Sequence, residues 1–282
     1  MPSFDSPKPI TATVTFDVGA LRIMAGDRTD TVVDVLPSSA TQEADIKAAE
    51  RTRVEFANGK LLVKGPKERS LFGKGASIDL RIALPAGSEV RATAVMGHIT
   101  VEGALGDGEF KASAGDLQIE EAGEIRATTG YGEISVGRAN GTAEVRTGSG
   151  DIRLGEVRGA VVVKNSNGPV DLGDVEGDIT VKASNGSVTV GRAAADLDVK
   201  SANGAIRVGQ LVRGTSVLET AAGRIEIGIR EGTAAWLDVR TQAGTVSQGL
   251  AESSAPEAPG ESTDTLKVRA RSGIGDIVIR RA

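Results

Sequence analysis

The chain has 282 residues and no cysteine. That excludes a disulfide framework, a thiolate metal site and a cysteine nucleophile. Aromatic residues are almost as scarce, at 2%, and Tyr131 and Trp236 are the single tyrosine and tryptophan. A sugar-binding groove usually offers aromatic platforms, and single-stranded nucleic acid stacks on them; few are available here. His98 is the one histidine, so any Ser-His-Asp triad or histidine metal cluster would have to use it. It falls at the first position of a repeat strand, where other repeats carry Asp, Glu, Ser or Pro, which reads as a surface place.

Other signatures are also missing. No Gly-x-Ser-x-Gly elbow and no Walker phosphate loop occurs. Gly130-x-Gly132 and Gly148-x-Gly150 precede strand-like segments, whereas a dinucleotide site needs such glycines to open a helix. No apolar run approaches the roughly 18 residues of a membrane span. The opening MPSFDSPKPI has no basic segment followed by an apolar run, which predicts no export signal and a cytoplasmic location. The net charge of −5 and pI near 5.2 predict solubility and argue against general nucleic-acid binding.

What the sequence has in quantity is glycine, 37 residues, set in a repeat. "NSNGPVDLG" at 165–173 returns as "ASNGSVTVG" and then as "SANGAIRVG", each eighteen residues on. Aligning on Gly-x-apolar-x-apolar gives Gly97, Gly115, Gly132, Gly150, Gly168, Gly186, Gly204, Gly223, Gly244 and Gly275. A weaker glycine series about nine residues later (Gly106, Gly141, Gly159, Gly177, Gly232) splits each repeat into two halves, each a short strand and a turn. A fixed period of this size marks a solenoid. Strands this short, at this spacing, predict parallel stacking of coils about 4.8 Å apart, with equivalent residues piled into ladders.

Alternation within the strands assigns faces. The inner column of one sheet is Ile99, Leu117, Ile134, Ile152, Val170, Val188, Ile206, Ile225, Val246 and Ile277. The other sheet's inner column is Phe110, Ile125, Val145, Val163, Val181, Val199, Leu218, Val239 and Val268. Asn167, Asn185 and Asn203, each followed by glycine (Gly168, Gly186, Gly204), form one rung. Asn-Gly suits the positive φ of a tight corner, and stacked amides can hydrogen-bond along a ladder, so this column is expected to be structural.

Three segments of the chain resemble the bacterial putative-adhesin family of β-strand-repeat domains of unknown function. They are "TVTFDVGALRIMAGDRTDTVVDVLP", "SIDLRIALPAGSEVRATAVMGHITVEG" and tandem units such as "VRTGSGDIRLGEVRG". The resemblance implies a right-handed parallel β-helix or flattened β-roll and brings no catalytic residues with it.

The predicted fold class is therefore all-β: a parallel β-helix or β-roll solenoid with ~18-residue coils and an N-terminal β-rich cap. Residues 1–90 are expected to form the capping region, with strands at Thr11–Phe16, Ala20–Met24, Thr31–Leu36 and Ser77–Leu84, and a short helix at 41–51. A hairpin is expected to turn on Asn58-Gly59. Residues 91–282 are expected to form the solenoid. A flexible insertion at 248–265, rich in Ala, Ser, Glu and Pro, interrupts it, and the closing strands are expected to dock beyond that insertion.

Two metal and enzyme classes fit poorly. Calcium β-rolls need a carboxylate repeated in each turn, but Asp116, Asp151 and Asp276 are scattered. Polysaccharide-active β-helices need clustered carboxylates or a basic residue on one face. No catalytic, metal or cofactor residue is assigned, and no cofactor is expected. One outward pattern remains: Arg91, Lys111, Arg126, Arg146, Lys164, Lys182, Lys200, Arg240 and Arg269, broken by Glu219. It reads either as a basic track for an anionic polymer or acidic partner, or as long side chains covering apolar edges and pairing with Glu144, Asp198 and Asp238. The expected function is a non-enzymatic scaffold or protein-interaction module, with a protein partner or self-association. The alternative is a module that binds through the basic ladder.

Overall fold

The computed structural model describes residues 2–67, 76–250 and 265–282. They fall into two units, Met1–Gly148 and Ser149–Ala282. Both are built almost wholly from strands, and the dominant pairing is parallel.

In the first unit the chain forms β1 (Ser3–Asp5), β2 (Thr11–Gly26), β3 (Asp30–Pro37), α1 (Glu43–Arg51), β4 (Arg53–Ala57), β5 (Lys60–Lys64) and β6 (Ile78–Pro85). It continues with β7 (Glu89–Ala104), β8 (Gly108–Ala114), β9 (Leu117–Ala122), β10 (Ile125–Tyr131) and β11 (Ile134–Ala139). β12 (Ala143–Ser149) runs to the unit boundary. The strands predicted at Thr11–Phe16 and Ala20–Met24 are one element that bends at Gly19, where φ is 137°. A Cβ there would lie 1.8 Å from the Ile78 carbonyl oxygen, so only glycine lets β2 cross from one sheet to the other. β2 pairs in parallel with β7 from Thr11, opposite Glu89, to Met24, opposite Glu102. On its other side it pairs with β5 and then β6. The segment expected as a cap thus supplies parallel coils as well.

Outside those coils the pairing turns antiparallel. β4 covers β5 through the hairpin at Asn58 (φ 51°) and Gly59 (φ 69°), the backbone a two-residue hairpin loop requires. β3 covers β6 and β1 covers β3. Phe4 and Phe56 stack with ring centroids 5.0 Å apart. In α1, buried Asp45 accepts hydrogen bonds from the Ser39 and Ser77 N–H groups at 3.1 and 2.9 Å. At this end of the unit, antiparallel strands thus cover the free edges of β5 and β6.

In the second unit the strands are β13 (Ile152–Val157), β14 (Val161–Asn167), β15 (Val170–Val175), β16 (Ile179–Asn185), β17 (Val188–Ala193), β18 (Leu197–Asn203) and β19 (Ile206–Leu211). They are followed by β20 (Gly214–Ala222), β21 (Ile225–Ile229), β22 (Ala234–Ala243), β23 (Val246–Gln248), β24 (Thr265–Ile274) and β25 (Ile277–Arg281). Alternate strands pair in parallel and form two sheets, with Val170 opposite Val188 in one and Val181 opposite Val199 in the other. Val163, Val181, Val199, Ile152, Val170, Val188 and Ile206 are fully buried. Each such side chain stabilises the fold by roughly 1.5–3 kcal/mol.

The closing coil does not dock beyond the insertion. β24 lies between β20 and β22, pairing Glu219 with Arg271 on one side and Arg271 with Arg240 on the other. β25 likewise lies between β21 and β23. Among the described residues of this unit the outermost coil is therefore 234–248, and the C-terminal strands are sandwiched beneath it. Burial supplies the reason. Leu266, Val268, Ala270 and Ile277 are at most 1% exposed in this inner place. Residues 251–264 of the predicted insertion lie outside the described residues.

Two assigned core residues are also out of phase. Ile125 stands opposite Gly108 and Ala127 opposite Phe110; Val268 stands opposite Ser216 and Ala270 opposite Leu218. Both are buried, two residues before the places expected for them.

Candidate functional site

The outward faces carry ladders, and the corner ladder of the second unit is the most regular. Gly168, Gly186 and Gly204 have φ of 126°, 141° and 151°. A Cβ on any of them would meet the carbonyl oxygen of the glycine one coil below at 2.0–2.3 Å. The asparagines before them take no positive φ and sit at the ends of strands. Their role is lateral: Asn203 Nδ2 donates to Asn185 Oδ1 at 3.0 Å, and Asn185 Nδ2 donates to Asn167 Oδ1 at 3.0 Å. Glycine makes the corner and asparagine ties the coils.

Carboxylates at corners do related work. Asp107 accepts from the Glu124 N–H at 2.9 Å, Asp116 from Glu133 at 2.8 Å and Asp196 from Thr215 at 2.8 Å. Asp276 accepts from both the backbone N–H and the hydroxyl of Thr245, each at 2.9 Å. Those two bonds, backbone first, hold the Asp276 carboxyl below its ordinary range. His98 is exposed and faces Asp116, its Nδ1 3.4 Å from a carboxylate oxygen.

All nine predicted basic residues are exposed, but they do not form one column. In the first unit Arg91 and Arg126 both lie opposite Glu109, in the outward column beside that of Lys111, which lies between Thr93 and Thr128. Acid and base alternate there. Lys111 donates to Glu109 and with its charge holds that carboxyl below the usual range. Glu144 pairs with Arg146 and, at 3.4 Å, with Arg126.

The second unit is different. Lys164 is opposite Lys182, Lys182 opposite Lys200, Lys200 opposite Glu219, Glu219 opposite Arg271, and Arg271 opposite Arg240. Arg269 belongs to the neighbouring column, opposite Asp238. The residue missed in sequence is Arg271. The signal for it was present: each member of this column stands four residues before a corner glycine, as Lys200 does before Gly204 and Arg271 before Gly275. Glu219 pairs with Lys200 at 3.5 Å, and Asp238 gathers Arg240, Arg269 and Arg271 at 3.3, 3.4 and 4.0 Å. Asp198 was expected to pair with Lys200; its Oδ1 is buried without a hydrogen-bond partner among the described residues. No ion pair among the described residues holds Lys164 or Lys182. Lys200, Glu219, Arg240 and Arg271, with Thr241 and Gln242, line an open groove of about 690 Å³. Among the described residues, no cluster of three His, Asp or Glu side chains could hold a metal ion. Among the described residues, no helix is long and apolar enough to cross a membrane.

Several solved structures match the chain. One is a putative cell adhesion protein from Clostridium sporogenes, 13% identical over all of this chain and 98% of its own, with a TM-score of 0.26. Putative adhesins from Bacteroides fragilis and Parabacteroides distasonis are each 11% identical, over 99% of this chain and 95% of theirs, with TM-scores of 0.34 and 0.36. No curated protein matches the chain. The sequence model of one family matches residues 19–280, nearly the whole length. The chain belongs to the Toastrack DUF4097 family.

Proposed function

We propose that the chain is a non-enzymatic β-solenoid scaffold that works as a protein-interaction module. The observation that carries this is the use made of its acidic side chains. Asp107, Asp116, Asp196 and Asp276 hold the backbone of a neighbouring coil, and Glu144, Glu219 and Asp238 are engaged by cations. A glycan-cleaving site needs a free acid and a free base facing one bond. Here the carboxylates join coil to coil and leave long outward rows of repeated side chains, which suit recognition of another macromolecule.

A second function has its own support. Lys164, Lys182 and Lys200 stack on consecutive rungs, where like charges repel. An anionic polymer or an acidic protein surface laid along the column would relieve that repulsion, and its binding would weaken as salt rises.

A photo-crosslinking amino acid at exposed Ser184, beside the column but outside it, tests both functions in the cell that makes the protein. Protein adducts are expected, and adducts lost on Lys164, Lys182 and Lys200 to Glu replacement assign them to the column. Adducts with an anionic polymer alone would favour the second function. Turnover of a glycan by the purified chain would contradict both.

A further inference from the structure

We infer that the outer coil of the second unit, β22 with β23, is a docking surface for a second copy of this chain, through antiparallel pairing of β22 with its counterpart about Val239. The inference rests on the interaction-module function proposed above and names its partner.

Among the described residues, the outer coil has a neighbour on one side only. β22 pairs with β24, β23 pairs with β25, and no described residue pairs with their other edges. Its inward side chains show the consequence. Leu237 and Val239 are half-buried and Val246 is 47% exposed, whereas Val268, Ala270 and Ile277 opposite them are fully buried. Trp236 and Ile274, both exposed, add apolar surface at the same end. An open edge of this length attracts another strand.

Charge selects that strand. Inward and outward residues alternate, so an antiparallel partner must keep inward side chains opposite inward ones. For β22 against its own copy, three central registers satisfy this. One sets Asp238 opposite Asp238 of the second copy, and another sets Arg240 opposite Arg240. The third, symmetric about Val239, sets Asp238 opposite Arg240 of the second copy, twice. It also sets Leu237 opposite Thr241 and Val239 opposite itself, continuing the inner column across the junction. Opposite charges facing across strands stabilise and like charges destabilise, so the edge complements itself in one register.

Sedimentation velocity of the full chain tests this with Asp238→Arg and Arg240→Asp. Wild type is expected to dimerise as concentration rises. Each variant alone places like charges opposite each other twice, weakening self-association at least about tenfold. An equimolar mixture of the two restores both opposite pairs and should restore the dimer. A wild type that stays monomeric at every concentration, or folded variants whose mixture stays monomeric, would overturn the inference. A gentler pair covers the case of a variant that does not fold. The chain has no cysteine, so under oxidant Val239→Cys should link two copies and Ala235→Cys should not. Equal linking by both would refute the register. Protein adducts at Ser184 together with a monomeric wild type would sink this docking surface alone and leave the interaction-module function standing.

Discussion

Gly186 and Asn185 adjoin in sequence and do unlike work. Gly186 holds φ at 141°, and its Cα faces the Gly168 carbonyl so closely that a Cβ would stand 2.1 Å from that oxygen. Gly186→Ala is expected to destabilise by about 3 kcal/mol or more, from backbone strain plus the displaced coil. Asn185→Ala removes two exposed amide bonds and should lose about 1–2 kcal/mol. Denaturant midpoints of the two variants check the order; equal losses would contradict this division of roles. The pairing Asn-Gly was legible in sequence, but which partner took the positive φ was not, because both tolerate it. Asp276 supplies a pH test at the same scale. A carboxyl held below its ordinary range stabilises the fold above that range, and the contribution is lost as pH falls through its folded value. Asp276 fastens Thr245 of the outer coil, so hydrogen-exchange protection around Val246 should fall as pH drops below about 4. Asp276→Asn keeps an acceptor and removes the titration; an unchanged pH dependence in that variant would contradict the assignment.

Among elements, the repeat period was legible and the order of coils was not. Parallel registers of 17 at β9–β11, 18 at β15–β17 and 19 at β19–β21 follow the glycine spacing. Spacing counts residues to the next corner, though, and does not say which earlier coil a strand lies against. That gap hid two threadings: β2 lies between β7 and the β5–β6 coil, and β24–β25 lies beneath β22–β23. In each case the segment near the chain end takes an inner place and an internal segment takes the outer one. Both inner coils bury their apolar residues on two flanks; Val14, Ile23, Val268 and Ile279 are at most 1% exposed. The same gap misphased Arg91, Arg126 and Arg269, since two adjacent outward columns both carry cations and only the corner glycine separates them.

For the molecule as a whole, a net charge of −5 coexists with the stacked lysines Lys164, Lys182 and Lys200, because acids hold coil corners and pair with other cations. The groove, the docking edge and the Arg271–Arg240 end of the basic column all depend on one claim: among the described residues the coil at 234–248 is outermost, with 265–281 beneath it. Introduced cysteine pairs measure this directly, since the chain has none of its own and parallel neighbours stand within disulfide reach. Glu219→Cys with Arg271→Cys, and Arg271→Cys with Arg240→Cys, should each close a bond within the chain under mild oxidant. Glu219→Cys with Arg240→Cys should not, being two rungs apart. Ready closure of that last pair, with failure of the first, would put the closing coil outermost and contradict the account.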